Sequence, residues 1–170
     1  GLDYNANINT LVVGQMYERD GMECLNVIKS FYVKNERKLR ELIADFSDYY
    51  APKRAINRDV TYFYDATAKQ GASYATTDER FYMTVIAELE KHGWNVTAID
   101  MGAPEKHDIK HKIINDGLAH LSYPAIRINQ PNNPDLIIAM QLCEVQIAYN
   151  GFHKNKSQEK KPESEDTLPL

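Results

Sequence analysis

The order of the apolar runs constrains the fold of this chain more than any other feature. Three β-prone runs come first, at residues 1–4, 8–15 and 24–33, and the pair Asp20-Gly21 separates the second from the third. An Asp-Gly pair between apolar runs indicates a hairpin, so three antiparallel strands are predicted. Helix-type and strand-type patterns alternate from there to about residue 149.

The later elements are predicted from apolar spacing and end signals. Strands are expected at residues 60–65, 94–100 and 125–128, and helices at 36–50, after a Thr76–Glu79 capping box, at 106–120, and from Asn133-Pro134 to about Tyr149. Gly93 is expected to end the second helix. In the third helix the residues expected to face inward are Ile109, Ile113, Ile114 and Leu118.

This order predicts an α/β protein with a ribonuclease H-like mixed β-sheet, in which three antiparallel strands precede alternating helices and strands. Helices are expected on both faces of the sheet. In that topology the first and fourth strands lie side by side at the centre of the sheet. Asp3 on the first strand would then lie beside Asp65 at the end of the fourth.

Acidic residues at the ends of these strands suggest metal-assisted phosphodiester chemistry. Carboxylates that converge from neighbouring strand ends are a common way to hold a divalent ion, which makes Asp3 and Asp65 candidate metal ligands and catalytic residues. The structural alternative is that both acids cap turns. Asp100 also ends an apolar run and is a further candidate acid, although a turn residue is commoner at such a position.

Basic residues near these acids are candidate contacts for a DNA backbone. Lys69 follows Asp65 closely, and Lys106, Lys110 and Arg127 are further candidates. The formal charge of −4 argues against binding through net charge, so any DNA contact depends on local patches, and a solvated charged face is the alternative. Phosphate contacts give salt-dependent affinity without sequence preference.

The bulk properties are those of one ordinary globular domain. Hydrophobic residues make up 43% of the chain and charged residues 26%, and no apolar run is long enough to span a bilayer. We expect a domain over residues 1–152, a polar loop or tail over 153–170, no membrane partner and a cytoplasmic location. Cys24 and Cys143 are expected to be reduced thiols.

Residues 1–15, the segment Tyr64-Asp65-Ala-Thr-Ala and residues 154–159 resemble the nuclease domain of phage terminase large subunits. The resemblance implies an endonuclease that cuts concatemeric viral DNA during packaging, with two Mg²⁺ or Mn²⁺ ions held by Asp3 and Asp65. Its implied partners are double-stranded DNA, a packaging ATPase domain in the same parent chain, the portal and the small terminase subunit. The implied location is the cytoplasm of a bacterial host.

The sequence departs from the family pattern in two places. The family's third metal acid, usually in a Ser/Thr-Asp-Ala segment after the polar tail, is absent from these 170 residues, and so is a P-loop. We therefore expect a fragment of a larger chain with weak nuclease activity. The alternatives are another ribonuclease H-like nuclease, such as a resolvase or transposase core, and a non-catalytic module that docks DNA or the portal.

Overall fold

The structure is a computed structural model that describes residues 2–4, 8–34, 38–69, 80–143, 145–148 and 151–154. For residues 3–4, 145–148 and 151–154 it describes the backbone alone. The strands are β1 Leu2–Tyr4, β2 Ile8–Arg19, β3 Met22–Lys34, β4 Asp59–Tyr64, β5 Asn95–Asp100, β6 Ala125–Ile128, β7 Val145–Ala148 and β8 Gly151–Lys154. The helices are α1 Leu39–Tyr49, α2 Ala51–Arg54, α3 Phe81–Lys91, α4 His107–Leu118 and α5 Pro134–Gln141.

The described strands form a mixed four-stranded sheet and two smaller sheets. The strand order of the larger sheet is β1-β2-β3-β6, with β1 antiparallel to β2 and β6 parallel to β3. Strands β4 and β5 form a parallel pair, and β7 and β8 form an antiparallel pair. The predicted α/β class with a mixed sheet is therefore confirmed.

The predicted hairpin between the second and third strands is present. Asp20 and Gly21 connect β2 to β3, with φ angles of 54° and 74°. Positive φ at both central residues is the signature of the tight turn that matches the twist of a two-stranded ribbon. Glycine adopts this conformation without steric cost, which explains why it occupies the second position.

The predicted pairing of the first strand with the fourth is not found among the described strands. There β1 pairs with β2, and all six residues of β4 pair in register with β5. The ladders therefore place β1 and β4 in separate sheets. The described part of β1 is only three residues long, so it offers few backbone groups to a second neighbour.

Contacts divide the chain into two compact units. The first unit comprises Gly1–Leu11 and Phe31–Pro104, and the second comprises Val12–Ser30 and Glu105–Leu170. Strands β2 and β3 each contribute one part to each unit.

The core of the first unit forms around α1 and α3. Leu42 and Ile43 of α1 and Val85 of α3 are almost completely buried. Leu39, Leu42, Ile43 and Phe46 recur at intervals of three and four residues, which places them on one face of α1. The indole nitrogen of Trp94 donates a hydrogen bond to the Ser47 hydroxyl at 3.1 Å, so the buried polar groups of both residues have partners.

Glu88 is a charged residue within this core. Its side chain is 5% exposed and forms ion pairs with Arg40 of α1 and Lys91 of α3, both of which reach solvent. Burial acts to raise the pKa of the Glu88 carboxyl, but the hydrogen bonds from Lys91 and Arg40 outweigh it and hold the pKa below its ordinary value. The carboxylate therefore ties α1 to α3.

Gly93 ends α3, as predicted. Its φ of 85° lies in the left-handed region, and its amide donates to the carbonyl of Glu90 at 2.8 Å. The amide of Trp94 then bonds the Leu89 carbonyl at 3.1 Å. These bonds satisfy carbonyls of the last helical turn and direct the chain into β5.

The second unit is held together by a buried asparagine. Asn133 occupies the N-cap position of α5, but its side chain makes no capping hydrogen bond. Its amide nitrogen instead donates to the carbonyls of Asn129 at 2.7 Å, Ile28 at 3.2 Å and Val27 at 3.4 Å. The fully buried side chain therefore links α5 to β3 and to the segment after β6.

Helix α4 confirms the predicted third helix but not its predicted inward face. Ile109, Ile113 and Ile114 are 40%, 55% and 39% exposed. The buried residue is Gly117 near the end of the helix, where an added Cβ would lie 2.8 Å from two side-chain atoms of Ile126. The close approach to β6 at Gly117 lies near the C-terminal end of α4, whereas the three isoleucines precede it and stay accessible.

The last predicted helix is shorter than expected. Helix α5 begins at Pro134, as predicted, but ends at Gln141, and β7 and β8 follow as a hairpin. The sequence carries the missed signal, because polar and apolar residues alternate from Val145 to Ala148 and an Asn150-Gly151 pair follows.

The remaining predictions concern the cysteines, the second helix start, the tail and membrane spans. Cys24 and Cys143 are free thiols, as expected. The capping box at Thr76–Glu79 and residues 155–170 of the predicted tail lie outside the described residues, and the expected domain boundary after residue 152 falls within β8. No helix in the described part of the chain is long and apolar enough to cross a bilayer.

Candidate active site

The candidate site lies where β4 and β5 end. Tyr64 and Asp100, the last residues of the two strands, are paired in the parallel register, and Asp65 follows Tyr64 directly. Because parallel strands end at the same edge of a sheet, both acids lie at this edge. We call the set Asp65, Lys69 and Asp100 the β4–β5 carboxyl edge. Ligands of open α/β sheets bind beyond such edges.

Asp65 starts the 3₁₀ turn Ala66–Lys69 that leaves this edge. Its Oδ1 accepts a hydrogen bond from the Thr67 amide at 2.8 Å and another from the Thr67 hydroxyl. The carboxylate therefore performs the turn-capping role considered as the structural alternative. An ionised carboxylate has two oxygens with about four lone-pair sites, so capping through Oδ1 leaves acceptor capacity for a cation.

Asp100 is held by two partners at the same edge. Its Oδ1 accepts a hydrogen bond from the Gly102 amide at 2.9 Å, and its Oδ2 forms an ion pair with the Lys69 ammonium. The hydrogen bond from Lys69, together with that from Gly102, lowers the pKa of the Asp100 carboxyl. The same contact with Asp100 raises the pKa of Lys69, so both groups are charged at neutral pH.

Backbone hydrogen bonds fix the two segments that leave the edge. The Met101 amide donates to the carbonyl of Tyr64 and the Ala66 amide donates to the carbonyl of Gly102, each at 2.8 Å. Gly102 adopts a φ of 75° at this close approach. The turn after β4 and the loop after β5 are thereby joined, and Lys69 is brought to Asp100.

Two tyrosines accompany Lys69. The rings of Tyr64 and Tyr82 stack with a centroid distance of 4.8 Å and an interplanar angle of 9°. The hydrogen bond to Asp100 is the main cause of the raised pKa of Lys69, and the two phenol groups make smaller contributions. The edge therefore combines two carboxylates, an ammonium group and a pair of aromatic rings.

Asp3, the other predicted metal ligand, lies on β1 with Thr10 of β2 as its register partner. Its side chain is outside the described part of the structure. The predicted approach of its carboxylate to Asp65 therefore stays a prediction.

The remaining predicted DNA contacts belong to the second unit. Lys106 precedes α4 and Lys110 lies in its first turn, and both are exposed. Arg127 lies on β6, and its Nε is buried with no hydrogen-bond partner among the described residues. Lys69 belongs to the first unit, where it contacts Asp100 at the β4–β5 carboxyl edge.

The chemistry of the edge suits a hard divalent cation. Mg²⁺ and Mn²⁺ prefer carboxylate and carbonyl oxygens, and Asp100 already holds a cationic group. Among the described residues no group of three or more His, Cys, Asp or Glu side chains is arranged to hold a metal. Asp65 and Asp100 would therefore need further oxygen ligands to complete a site.

The sequence pattern indicates the acids and Lys69 but not the groups that orient them. Thr67, which bonds Asp65, and the Lys69–Asp100 ion pair were both missed. The Asp-x-Thr spacing is a recognisable local capping signal. The ion pair joins residues 31 positions apart and depends on the β4–β5 register, so no local pattern could have predicted it.

Comparisons with protein-family models, with curated proteins and with solved structures found no match.

Proposed function

We propose that this chain is a metal-dependent endonuclease domain of a viral or prophage DNA-packaging terminase, which hydrolyses phosphodiester bonds of concatemeric DNA. The observation that carries the proposal is the β4–β5 carboxyl edge, where Asp65 and Asp100 lie at the ends of paired parallel strands and Lys69 forms an ion pair with Asp100. Carboxylates with an adjacent ammonium are suited to a divalent ion and a phosphate.

A ribonuclease H-like sheet is part of this proposal. The described orders β1-β2-β3-β6 and β4-β5 would become parts of such a sheet if a ladder joined β1 to β4. That ladder would place Asp3 next to Asp65, as the sequence predicts. The proposed fold therefore depends on one strand pairing.

Each residue has a proposed role at the site. Asp3 and Asp65 would hold two Mg²⁺ or Mn²⁺ ions, with Asp100 as an additional acid, and Thr67 orients the Asp65 carboxylate. When bound, such ions activate water and stabilise the charge that develops on the leaving oxygen. Lys69, Lys106, Lys110 and Arg127 would contact backbone phosphates of double-stranded DNA.

The proposed partners and location follow from the resemblance of the sequence to phage terminase large subunits. The partners would be the packaging ATPase domain of a parent chain, the portal and the small terminase subunit, in the cytoplasm of a bacterial host. A non-catalytic DNA- or portal-docking module is the second candidate. It is favoured by the observation that Asp65 and Asp100 already have protein partners, Thr67 and Lys69.

Nicking of supercoiled plasmid in Mn²⁺ tests the proposal. We expect slow nicking by the wild-type chain and a reduction on the order of 100-fold for Asp65→Asn, because the variant loses a charge that would position the ions. Asp48→Asn is the matched control, since Asp48 is an exposed acid at the end of α1. A wild-type protein that binds Mn²⁺ and DNA but never nicks the plasmid would favour the docking module.

A further inference from the structure

Lys69 and Asp100 form an ion pair at the place where the proposed function requires a metal. The ammonium contacts Oδ2 of Asp100, and the side chains are 42% and 38% exposed. Lys69 ends the 3₁₀ turn that Asp65 starts, so the pair links the turn after β4 to the end of β5. The pair is therefore accessible to ions and substrate.

We propose that Lys69 is an internal counter-ion of Asp100 that a divalent cation displaces, and that the displaced ammonium then contacts a DNA phosphate. This inference rests on the proposed function. In it Lys69 and the cation compete for Oδ2 of Asp100, and Lys69 is available to DNA only after the cation has bound. Lys69 thus couples metal occupancy to phosphate binding.

The competition follows from electrostatics. A divalent cation and an ammonium group that share one carboxylate oxygen repel each other, and the more strongly coordinating ion displaces the other. A lysine side chain is suited to the exchange, because its charge lies on a flexible four-carbon stem. The Asp100 carboxylate stays in place when Lys69 leaves, since the Gly102 amide still bonds Oδ1.

The direction of movement is also constrained. Lys69 is anchored in a turn that is bonded at its start to Asp65 and, through Ala66, to Gly102. Its backbone therefore stays at the edge while the side chain reorients. A phosphate beside a cation at this edge would be within the region that Lys69 can reach.

Calorimetric titration of Mn²⁺ into four proteins tests the competition. The proteins are wild type, Lys69→Met, Asp100→Asn and the Lys69→Met/Asp100→Asn double variant. We expect Lys69→Met to bind Mn²⁺ about 2- to 5-fold more tightly, because an exposed ion pair that must be broken weakens binding by roughly this amount. In the Asp100→Asn background, Lys69→Met should have a smaller effect, since the part of the effect that acts through the ion pair is then absent.

Two controls distinguish the loss of the Lys69–Asp100 ion pair from a general effect of removing a positive charge on Mn²⁺ affinity. Lys112→Met removes an ammonium from an exposed ion pair with Asp116 on α4 and should leave Mn²⁺ affinity unchanged. Lys69→Arg retains the charge and should bind Mn²⁺ as the wild type does. Equal or weaker Mn²⁺ binding by Lys69→Met would overturn the proposal.

Fluorescence anisotropy with a short labelled duplex tests the second half of the inference. With Ca²⁺ present to prevent cleavage, Lys69→Met should weaken DNA binding about 3-fold or more. With EDTA present, it should not change DNA binding, because Lys69 is then paired with Asp100. An equal loss under both conditions would show that Lys69 is not gated by the cation.

The outcomes distinguish this inference from the proposed function. If the wild type binds no Mn²⁺, or if Asp65→Asn leaves its affinity unchanged, both proposals fail. If Mn²⁺ affinity depends on Asp65 but not on Lys69, only the counter-ion proposal fails. Circular dichroism of each variant establishes that the fold is retained, and both substituted side chains are partly exposed.

Discussion

At the scale of single residues, the charged side chains of the first unit show how the same pairing chemistry serves two purposes. Glu88 is buried between α1 and α3, and its ion pairs with Arg40 and Lys91 hold the two helices together. Asp100 is accessible at a sheet edge, and its ion pair with Lys69 is open to exchange. The degree of burial therefore distinguishes the structural carboxylate of Glu88 from the candidate functional carboxylate of Asp100.

The Glu88 carboxylate gives a prediction about stability and pH. Because its pKa is lowered in the folded state, its contribution is present above the unfolded-state pKa and is lost as the pH falls through the folded-state pKa. Glu88→Gln should lower the free energy of unfolding at pH 7 by about 1–3 kcal/mol, and its deficit relative to wild type should shrink below about pH 4.5. Urea denaturation at several pH values measures both effects.

Glu90→Gln is the control for this measurement, because Glu90 lies on the exposed side of the same helix. It should change the free energy of unfolding by less than about 0.5 kcal/mol. A deficit of Glu88→Gln that stays constant from pH 7 to pH 3 would contradict the role assigned to the buried ion pairs.

At the scale of helices and strands, sequence patterns identify most elements but do not determine their partners. The Asp20-Gly21 hairpin and the Gly93 helix end are correctly predicted because each depends on residues next to one another in the chain. Ile109, Ile113 and Ile114 of α4 are wrongly predicted to face inward because burial depends on which elements pack against the helix, and the helix pattern does not contain that information. The same reasoning explains why the acids were found and the Lys69–Asp100 pair was not.

Gly117 provides a prediction about the packing of α4 on β6. Gly117→Val should lower the free energy of unfolding by about 1–3 kcal/mol, because the new side chain would meet Ile126 and the carbonyl of Pro124. Thermal or urea denaturation measures the change. Helix propensity alone would make Gly117→Val neutral or slightly stabilising, because valine is a better helix former than glycine. A Gly117→Val variant that is as stable as the wild type would show that Gly117 is not a close-packing position.

At the scale of the whole molecule, DNA binding depends more on the distribution of charge than on the net charge. The formal charge of −4 gives no general attraction for DNA, so binding has to come from local basic groups. The candidates lie on both units, with Lys69 in the first and Lys106, Lys110 and Arg127 in the second. DNA affinity should therefore be modest and should decrease as the salt concentration rises.

The salt dependence of DNA binding tests these contacts one at a time. Lys106→Gln and Lys110→Gln should each reduce the slope of log K against log salt concentration by about 1, because each removes one phosphate contact. Lys112→Gln should leave the slope unchanged, since Lys112 is paired with Asp116 on the same helix. Slopes that match the wild type in both of the first two variants would exclude these lysines as phosphate contacts.

The central claim is that the β4–β5 carboxyl edge binds divalent metal, and anomalous diffraction from a crystal soaked in Mn²⁺ tests it most directly. We predict an anomalous peak about 2.0–2.4 Å from a carboxylate oxygen of Asp65, with the Lys69 ammonium moved away from Asp100. The peak should be absent from Asp65→Asn crystals treated in the same way. Mn²⁺ peaks that occur only elsewhere in the wild-type crystal, or none at all, would contradict the claim.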